Sequence, residues 1–382
     1  MAFNPHIVPR FLPPTGDPFV HRDGERAIAV MMSGGVDSSV TALLLQEAGW
    51  NVVGVTLKIP VLGGCSLRPC CGIEAVTIAR QLGIPHYFID VEDAFKDRVV
   101  EPFRAAYAAG RTPSPCVDCN TFIKFGDVWD LLEREFGIAH LATGHYARIA
   151  EEGTPGARLR RGEDVSRDQS YFLYGIPARR LPYLHFPLGQ YSKAEARELA
   201  KERALPVADK PDSMELCFAG EGDYRQVLAD VPARPGVICD KTGTELGRHS
   251  GIQNYTLGQR RGLGIAHSEP LYVIDIQPET NTVVVGPQRE AWVDTVNAEA
   301  INVLAPERLQ EGAMVWGKVR SVGEPHSCCV TRLTSEGVTV KFCSPVLTPA
   351  PGQHLVLYSE DGTVVAGGTI EGCSGCSANA SS

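Results

Sequence analysis

A buried strand that leads through a glycine and serine loop into a helix is the feature that most constrains this chain. The apolar run Ala27–Met32 is typical of a strand in a parallel sheet. The loop Ser33–Ser38 follows, and an amphipathic helix is predicted over Ser39–Ala48, with Gly49 as its stop signal. Adjacent glycines let backbone N–H groups approach an anion, and a helix N-terminus adds partial positive charge. The segment therefore predicts a phosphate-binding turn.

The side chains of this loop are compatible with phosphate binding. Ser33 and Ser38 supply hydroxyl donors, and Asp37 would help to hold Mg²⁺ on the phosphates. The loop is not a Walker loop, because no lysine stands at the required place, and it is not the G-x-G-x-x-G dinucleotide turn. The sequence thus predicts a nucleotide loop of another type.

Strands and helices alternate as far as about residue 212, which predicts a doubly wound parallel sheet. The predicted strands after the first are Asn51–Leu57, His86–Val91 and Ile138–Thr143, and the predicted helices are Ile73–Leu82, Val128–Phe136 and Ser192–Glu202. From Gly236 on, short β-branched runs separated by glycine and proline predict small β domains that end in a barrel.

The predicted fold class is therefore α/β, with a doubly wound parallel-sheet domain, a small central domain and a C-terminal β-barrel. The expected boundaries are a flexible proline-rich arm over 1–24, a nucleotide-binding catalytic domain over 25–220, a central domain over 221–290, a barrel over 291–372 and a tail over 373–382.

The composition limits which partners the chain can bind and in which cellular environment it is expected. A net charge of −9 over 382 residues means that a nucleic acid would be held by a local basic surface. No apolar run approaches the ~18–20 residues that a membrane helix needs, and the N-terminal segment lacks the apolar core of a signal peptide. Twelve cysteines in such a chain indicate reduced thiols, metal ligands or sulfur chemistry. We expect a cytoplasmic protein with no membrane partner.

Three cysteines stand out by their surroundings. Cys116 and Cys119 form a C-x-x-C pair behind prolines, and Cys217 follows about a hundred residues later. Such a pair indicates a low-pKa thiol couple, two metal ligands or coincidence. A single cysteine such as Cys217 is ordinarily a small buried hydrophobe. The three residues alone leave these alternatives open.

Further segments of the chain share one order and spacing with the loop and the cysteines. They are Thr143–Ala147, Arg167–Leu173, Leu257–Leu263 and Ala366–Ile370. This combination, from about residue 27 to about residue 371, resembles the tRNA-specific 2-thiouridylase family of the PP-loop ATP pyrophosphatases. The resemblance implies a PP-loop domain at the front of the chain.

The resemblance also implies a reaction. ATP activates O2 of the wobble uridine, position 34 of tRNA, as an adenylate, and AMP and diphosphate are the products. A persulfide on Cys217, loaded by a sulfur-relay protein or a cysteine desulfurase, delivers sulfur to C2. Cys119 is the nucleophile that frees this sulfur, and we expect a low pKa for it in a positive environment. The segment that carries Cys217 is expected to become ordered when tRNA binds.

The remaining site residues follow from the resemblance, position by position. Those implied for ATP are Met31, Met32, Ser33, Gly34, Gly35, Val36, Asp37, Ser38, Leu57 and Gly144. Those implied for tRNA are His145, Arg167, Asp168, Gln169, Arg260, Arg261, Arg320, Ser321 and Gln353.

Cys116 stands where the family commonly has aspartate, which leaves two mechanisms open. In the first, sulfur travels as a persulfide and Cys116 is a bystander or a resolving thiol. In the alternative, Cys116, Cys119 and Cys217 hold a [4Fe–4S] cluster with one open iron. Cys65, Cys70 and Cys71 form a weaker candidate for a metal cluster.

Two other functions are weighed against tRNA thiolation. A PP-loop synthetase that acts on a small metabolite would leave Cys119 and Cys217 without a role. An RNA-binding or iron–sulfur scaffold would have no need of the intact loop.

Overall fold

The computed structural model describes Asn4 and residues 6–20, 26–60, 72–211, 216–219 and 224–375. The cysteines at 65, 70, 71 and 376 lie outside these residues, as do 212–215 and 220–223 beside Cys217. Within the described ranges, no helix has both the length and the hydropathy that a bilayer crossing requires.

The chain divides into two compact units. The first comprises Met1–Val100 and Cys116–Tyr224, and the second comprises Glu101–Pro115 and Arg225–Ser382. The strands are β1 Arg10–Phe11, β2 Ala27–Met31, β3 Asn51–Lys58, β4 His86–Asp90, β5 His140–Ala142, β6 Ala147–Ala150, β7 Arg158–Arg161, β8 Leu184–His185, β9 Gly236–Cys239, β10 Glu245–His249, β11 Leu271–Gln277, β12 Thr282–Pro287, β13 Trp292–Val303, β14 Met314–Lys318, β15 His326–Leu333, β16 Gly337–Leu347, β17 His354–Tyr358 and β18 Val364–Ser374.

The helices are α1 Val36–Glu47, α2 Gly72–Leu82, α3 Glu92–Phe95, α4 Glu101–Ala108, α5 Pro115–Asp118, α6 Trp129–Phe136 and α7 Lys193–Glu202. Wider π-helical segments are Lys96–Val100 and Cys119–Val128, and the second contains a kink at Gly126. Short 3₁₀ helices are Val165–Arg167, Ser170–Leu173, Ala178–Tyr183, Pro187–Gln190, Tyr224–Leu228, Ile252–Asn254, Gln288–Glu290 and Pro306–Arg308.

The first unit is built on a six-stranded sheet in the order β1-β4-β3-β2-β5-β8. Five of its strands run parallel: β4, β3, β2, β5 and β8. Strand β2 is buried along its whole length, as its continuous apolar sequence predicts. Ala196 and Ala200 of α7 lie in the same apolar core as Val40 and Leu43 of α1. Their small side chains let the two helices pack closely. The predicted parallel-sheet domain is confirmed.

The prediction of a flexible arm over 1–24 is wrong for residues 10–15. Strand β1 pairs with β4 in antiparallel register, Leu12 N donates to the carbonyl of Phe88 at 2.8 Å, and the Phe11 ring lies 4.5 Å from the ring of Phe136. A proline-rich segment can pair in this way because an edge strand needs only some of its N–H groups.

The second unit contains a four-stranded sheet in the order β10-β9-β12-β11 and a closed barrel in the order β13-β16-β15-β14-β17-β18. The barrel interior is filled by alternating side chains such as Val296, Val330 and Leu355, all fully buried. The predicted central domain and β-barrel are confirmed. The expected tail begins later than residue 373, because Cys373 and Ser374 still pair with β13.

Candidate functional site

The glycine and serine loop lies at the carboxyl end of β2 and wraps the start of α1. Gly34 adopts a φ of 70°, the left-handed region that favours glycine. Ser38 Oγ accepts from the backbone N–H of Ser33 at 3.1 Å, so this buried hydroxyl holds the loop in shape. No side chain caps α1 at Gly35. The first N–H groups of the helix are thus available to an anion such as phosphate.

Asp37 is held by two residues that the sequence analysis did not assign to the site. Lys193 Nζ lies 2.8 Å from each of its carboxylate oxygens, and Tyr146 Oη donates to Oδ1 at 2.8 Å. Asp37 was expected to hold Mg²⁺, but in this structure both of its carboxylate oxygens are already paired with Lys193, and one of them also accepts from Tyr146. The sequence contained a weak signal for Lys193, because a lysine at the start of a helix is opposed by the helix dipole and is favoured by a nearby anion.

A second lysine reaches the loop from the segment after α7. Lys210 Nζ donates to the carbonyl of Gly34 at 3.1 Å and to Glu74 at 3.3 Å. Lys193 and Lys210 therefore bring two ammonium groups to the loop from a part of the sequence about 160–180 residues away. No motif adjacent to the loop could have revealed this.

Gly144 brings the segment Thr143–Tyr146 against the loop. A Cβ on Gly144 would lie 2.9 Å from Asp37 Cβ, from the Asp37 carbonyl carbon and from Ser38 N, which is closer than real Cβ contacts allow. Glycine at 144 is therefore required by close packing. Of the other residues implied for ATP, Met31, Met32 and Val36 have buried side chains, and Leu57 is half-buried near the end of β3.

The three cysteines occupy one electrostatically coupled region of the first unit. Cys119 begins the π-helical segment and is buried, whereas Cys116 on α5 and Cys217 are exposed. Phe218, the neighbour of Cys217, is buried with its ring 5.5 Å from that of Phe95. Phe218 thus provides an apolar contact directly beside Cys217. Each of the three thiols is free.

The expected low pKa of Cys119 is wrong, because burial raises the pKa of this thiol. The surrounding protein also raises the pKa of Cys217 to about 12, with smaller contributions from Cys119 and Cys116, although the Cys217 side chain is exposed at the surface of the region. The expected positive group is present. The Lys124 ammonium favours the thiolate form of all three cysteines, but desolvation outweighs it.

Lys124 connects the thiols to the segment that packs on the loop. Its Nζ donates to Asn120 Oδ1 at 3.0 Å, and Asn120 in turn donates to the carbonyl of Phe172 at 3.0 Å. Burial, reinforced by the charge of Lys124, lowers the pKa of His145 well below its usual range. His145 is therefore neutral, and its Nδ1 lies 2.7 Å from Thr143 Oγ1.

A carboxyl group lies beside the same thiols. Desolvation raises the pKa of Asp118 to about 7, and the negative charge of Asp118 opposes ionisation of Cys116 and Cys119. Asp118 therefore titrates close to neutral pH, whereas an ordinary aspartate is fully charged there.

The structure gives no support to the alternative of an iron–sulfur cluster. In the described part of the chain, which includes Cys116, Cys119 and Cys217, no three His, Cys, Asp or Glu side chains are arranged to hold a metal ion.

The predicted RNA contacts in the first unit divide into exposed and internal residues. Arg167 is exposed. The Asp168 carboxylate is fully buried and accepts hydrogen bonds from Gly162 N, Ser170 N, Ser170 Oγ and Arg161 Nε at 3.0–3.1 Å. Asp168 therefore shapes the turn, with its carboxylate shielded from solvent.

Gln169 has a similar internal role, because its Oε1 accepts from the backbone N–H of Tyr146 at 2.9 Å. It fastens the turn after Asp168 to the segment that packs on the loop.

The predicted RNA contacts in the second unit divide in the same way. Arg260 and Arg261 are exposed on the turn before β11. Gln353 donates to the carbonyls of Thr112 and Pro113 at 3.0 and 3.1 Å, so its amide is used within the unit. Arg320 donates to the carbonyl of Leu347 at 2.8 Å and is half-buried, as is Ser321.

A cavity of about 710 Å³ lies at the other end of the parallel sheet, near the beginnings of β2 and β5. Trp50, His140 and His185 contribute to its lining, and none of the predicted site residues does. The candidate site is therefore distinct from this cavity.

Family models match three successive parts of the chain. They are described as a tRNA methyl transferase HUP domain over residues 26–221, a tRNA methyl transferase PRC-barrel domain over 226–287 and an aminomethyltransferase β-barrel domain over 293–370.

Curated relatives match along nearly the whole chain. A tRNA-specific 2-thiouridylase MnmA 1 from Caldanaerobacter subterraneus subsp. tengcongensis is 43% identical, covering 90% of this chain and 97% of its own. Proteins named tRNA-specific 2-thiouridylase MnmA are 44% identical in Rickettsia felis (91% and 97%) and 45% identical in Xanthobacter autotrophicus (92% and 95%). A solved 4-thiouridine synthetase in complex with RNA and ATP aligns at 18% identity and a TM-score of 0.34, covering 51% of this chain and 46% of its own, too low a similarity for any inference.

Proposed function

This chain belongs to the tRNA-specific 2-thiouridylase family, and from this premise we propose that it converts uridine 34 of tRNA to 2-thiouridine at the expense of ATP. One observation carries the proposal. The segment Thr143–Tyr146 contacts the glycine loop through Gly144 and Tyr146, and its His145 is electrostatically coupled to Lys124, which acts on all three thiols. In this proposal, the activation of uridine O2 and the delivery of sulfur to C2 thus share one structural element, the segment Thr143–Tyr146.

In the first step, uridine O2 attacks the α-phosphate of ATP, and diphosphate leaves. The free N–H groups at the start of α1 and the ammonium group of Lys210 would bind the leaving phosphates. Mg²⁺, carried in by the triphosphate, would neutralise part of its charge, with Asp37 as its protein ligand. Adenylation is needed because a urea-like C2=O is a poor electrophile with a poor leaving group.

In the second step, sulfur from a Cys217 persulfide replaces the adenylated oxygen. The Cys119 thiolate attacks the Cys217 sulfur, a disulfide forms between the two cysteines, and the terminal sulfur leaves as hydrosulfide. Hydrosulfide adds to C2, and AMP departs with the former O2. Because burial raises the pKa of Cys119, the thiol needs a proton acceptor. We propose Asp118 as this acceptor, because its carboxylate interacts electrostatically with Cys119 and its pKa of about 7 suits a base at neutral pH.

Three exposed arginines are the proposed phosphate contacts for tRNA: Arg167 in the first unit, and Arg260 and Arg261 in the second. We propose a cysteine desulfurase or a sulfur-relay protein as the sulfur donor and the cytoplasm as the location. Asp168, Gln169 and Gln353 are assigned to positioning, because their polar side-chain atoms are used within the protein.

Diphosphate release in the presence of tRNA tests this function. We expect release with a transcript that carries U34 and none with a matched transcript that carries C34. Release without any tRNA would instead favour a synthetase acting on a small metabolite, and no release with ATP and U34 would favour a scaffold.

Cysteine variants test the sulfur step separately. Cys119→Ser and Cys217→Ser should each abolish 2-thiouridine in a complementation assay read by nucleoside mass spectrometry. Cys343→Ser is the matched control, because Cys343 is an exposed thiol on the barrel strand β16. Thiolation that survives in either of the first two variants refutes the assigned roles.

A further inference from the structure

The ion pair between Lys193 and Asp37 joins the first residue of α7 to the second residue of α1. Both carboxylate oxygens lie 2.8 Å from Lys193 Nζ, and only 13% of the lysine side chain is exposed. Tyr146 Oη donates to the same carboxylate. In this state the Asp37 carboxylate is neutralised by the lysine, and no metal ion is needed to balance its charge.

A lysine at the first residue of a helix is opposed by the partial positive charge of the helix N-terminus. The start of α7 does not depend on it, because Ser192 and Glu195 already form a reciprocal cap. The ammonium group is thus stabilised by an anion beyond its own helix. Asp37 supplies this anion here, and a nucleotide phosphate in the loop would be a second one with a larger negative charge.

The surroundings of the pair favour such a phosphate. Lys210 contacts Gly34 at one end of the loop, Lys193 contacts Asp37 at the other, and α1 begins between them without a side-chain cap. Two ammonium groups and a helix N-terminus therefore converge on the same few residues. This arrangement is typical of a site for a polyanion.

We propose that Lys193 binds the phosphates of the nucleotide. Without nucleotide, its ammonium group is paired with Asp37 instead. When the triphosphate enters the loop, the ammonium group exchanges the carboxylate for a phosphate oxygen, and Asp37 is released to the divalent cation that accompanies the nucleotide. No covalent bond changes in this exchange. The inference rests on the proposed use of ATP and adds that the cation site at Asp37 opens only with the nucleotide.

The exchange predicts effects of opposite sign for the two members of the pair. Lys193→Met removes a charge-assisted contact, so inorganic diphosphate should bind about 10-fold or more weakly. Asp37→Asn removes the competing carboxylate, so diphosphate should bind about 3-fold or more tightly when no metal is present. The double variant should resemble Lys193→Met.

Calorimetric titration with inorganic diphosphate in a chelating buffer measures these affinities on the full chain. Lys193→Arg keeps the charge and should restore most of the binding. Lys201→Met is the matched control, because Lys201 lies on the same helix with 56% of its side chain exposed. Circular dichroism of each variant establishes that it is folded.

Each outcome decides between the two proposals. Weaker binding by Lys193→Met together with tighter binding by Asp37→Asn supports the exchange. If folded Lys193→Met binds diphosphate as the wild type does, or if folded Lys193→Arg binds it as weakly as Lys193→Met, the exchange is refuted while ATP use stands. The same holds if Asp37→Asn weakens metal-free binding. If the wild-type protein binds neither diphosphate nor ATP, both the proposed use of ATP and this inference fall.

Discussion

The pH dependence of Cys217 alkylation follows directly from the structure. Desolvation raises the pKa of this thiol from an ordinary value of 9.0 to about 12, yet its side chain is exposed to reagent. Only the thiolate reacts with iodoacetamide. The rate constant for alkylation should therefore keep rising with pH well beyond 9, where an ordinary thiol levels off.

The size of the effect can be worked out at pH 8. A pKa of 12 in place of 9 lowers the thiolate fraction about 1000-fold, since each unit is a factor of ten. A more basic thiolate is also a better nucleophile, and a Brønsted slope of about 0.4–0.5 returns a factor of about 15–30. Cys217 should therefore react about 30- to 60-fold more slowly than an unperturbed thiol.

Mass spectrometry of tryptic peptides after timed alkylation reports each cysteine separately. Cys343, exposed on β16, gives an internal reference for reagent access in the same sample. Lys124→Met should shift the Cys217 profile to still higher pH, because the ammonium favours the thiolate. A Cys217 profile that levels off near pH 9 would refute the desolvation argument, whatever its absolute rate.

Three shorter predictions concern stability. Gly144→Ala should cost about 1–3 kcal/mol through overlap with α1 and weaken diphosphate binding, whereas Gly16→Ala, with open space around it, should change neither property in thermal melts and titrations. Asp118→Asn should raise the unfolding free energy at pH 8 but not near pH 4. The pKa of Asp118 is raised from 3.8 to about 7 in the folded protein, so the charged carboxylate costs stability progressively as pH rises from about 4 to about 7 and fully above that. Allowing for partial exposure, we expect about 1–2 kcal/mol in urea denaturation, and an equal effect at both pH values would contradict this. Asp168→Ala should destabilise the fold by about 3 kcal/mol or more, because it leaves Arg161 and two backbone N–H groups without their acceptor, and unchanged urea denaturation would contradict this.

Much of the fold was predictable because its signals are local. The apolar run of β2 and the glycine of the turn that follows it depend only on neighbouring residues, and α7 was predicted from the local pattern of Ser192–Glu202. The pairing of β1 with β4 was not predictable in this way, because it depends on partners about 80 residues away.

The candidate site was predictable in its reactive groups but less so in its environment. The cysteines and the loop carry recognisable patterns, whereas the contact between Lys193 and Asp37 spans 156 residues of sequence. The pKa of Cys119 was predicted in the wrong direction, because a sequence shows the nearby lysine but not the extent of burial. Asp168 was assigned to RNA for the same reason, since its four hydrogen bonds appear only in the fold.

The ratio of diphosphate released to 2-thiouridine formed, measured in one reaction with U34 tRNA, a persulfide donor and ATP, tests most directly whether the loop and the thiols serve one reaction. The account predicts one diphosphate for each thiolated uridine in the wild-type protein, and continued diphosphate release without thiolation in Cys217→Ser. Thiolated uridine formed without a matching amount of diphosphate would contradict it.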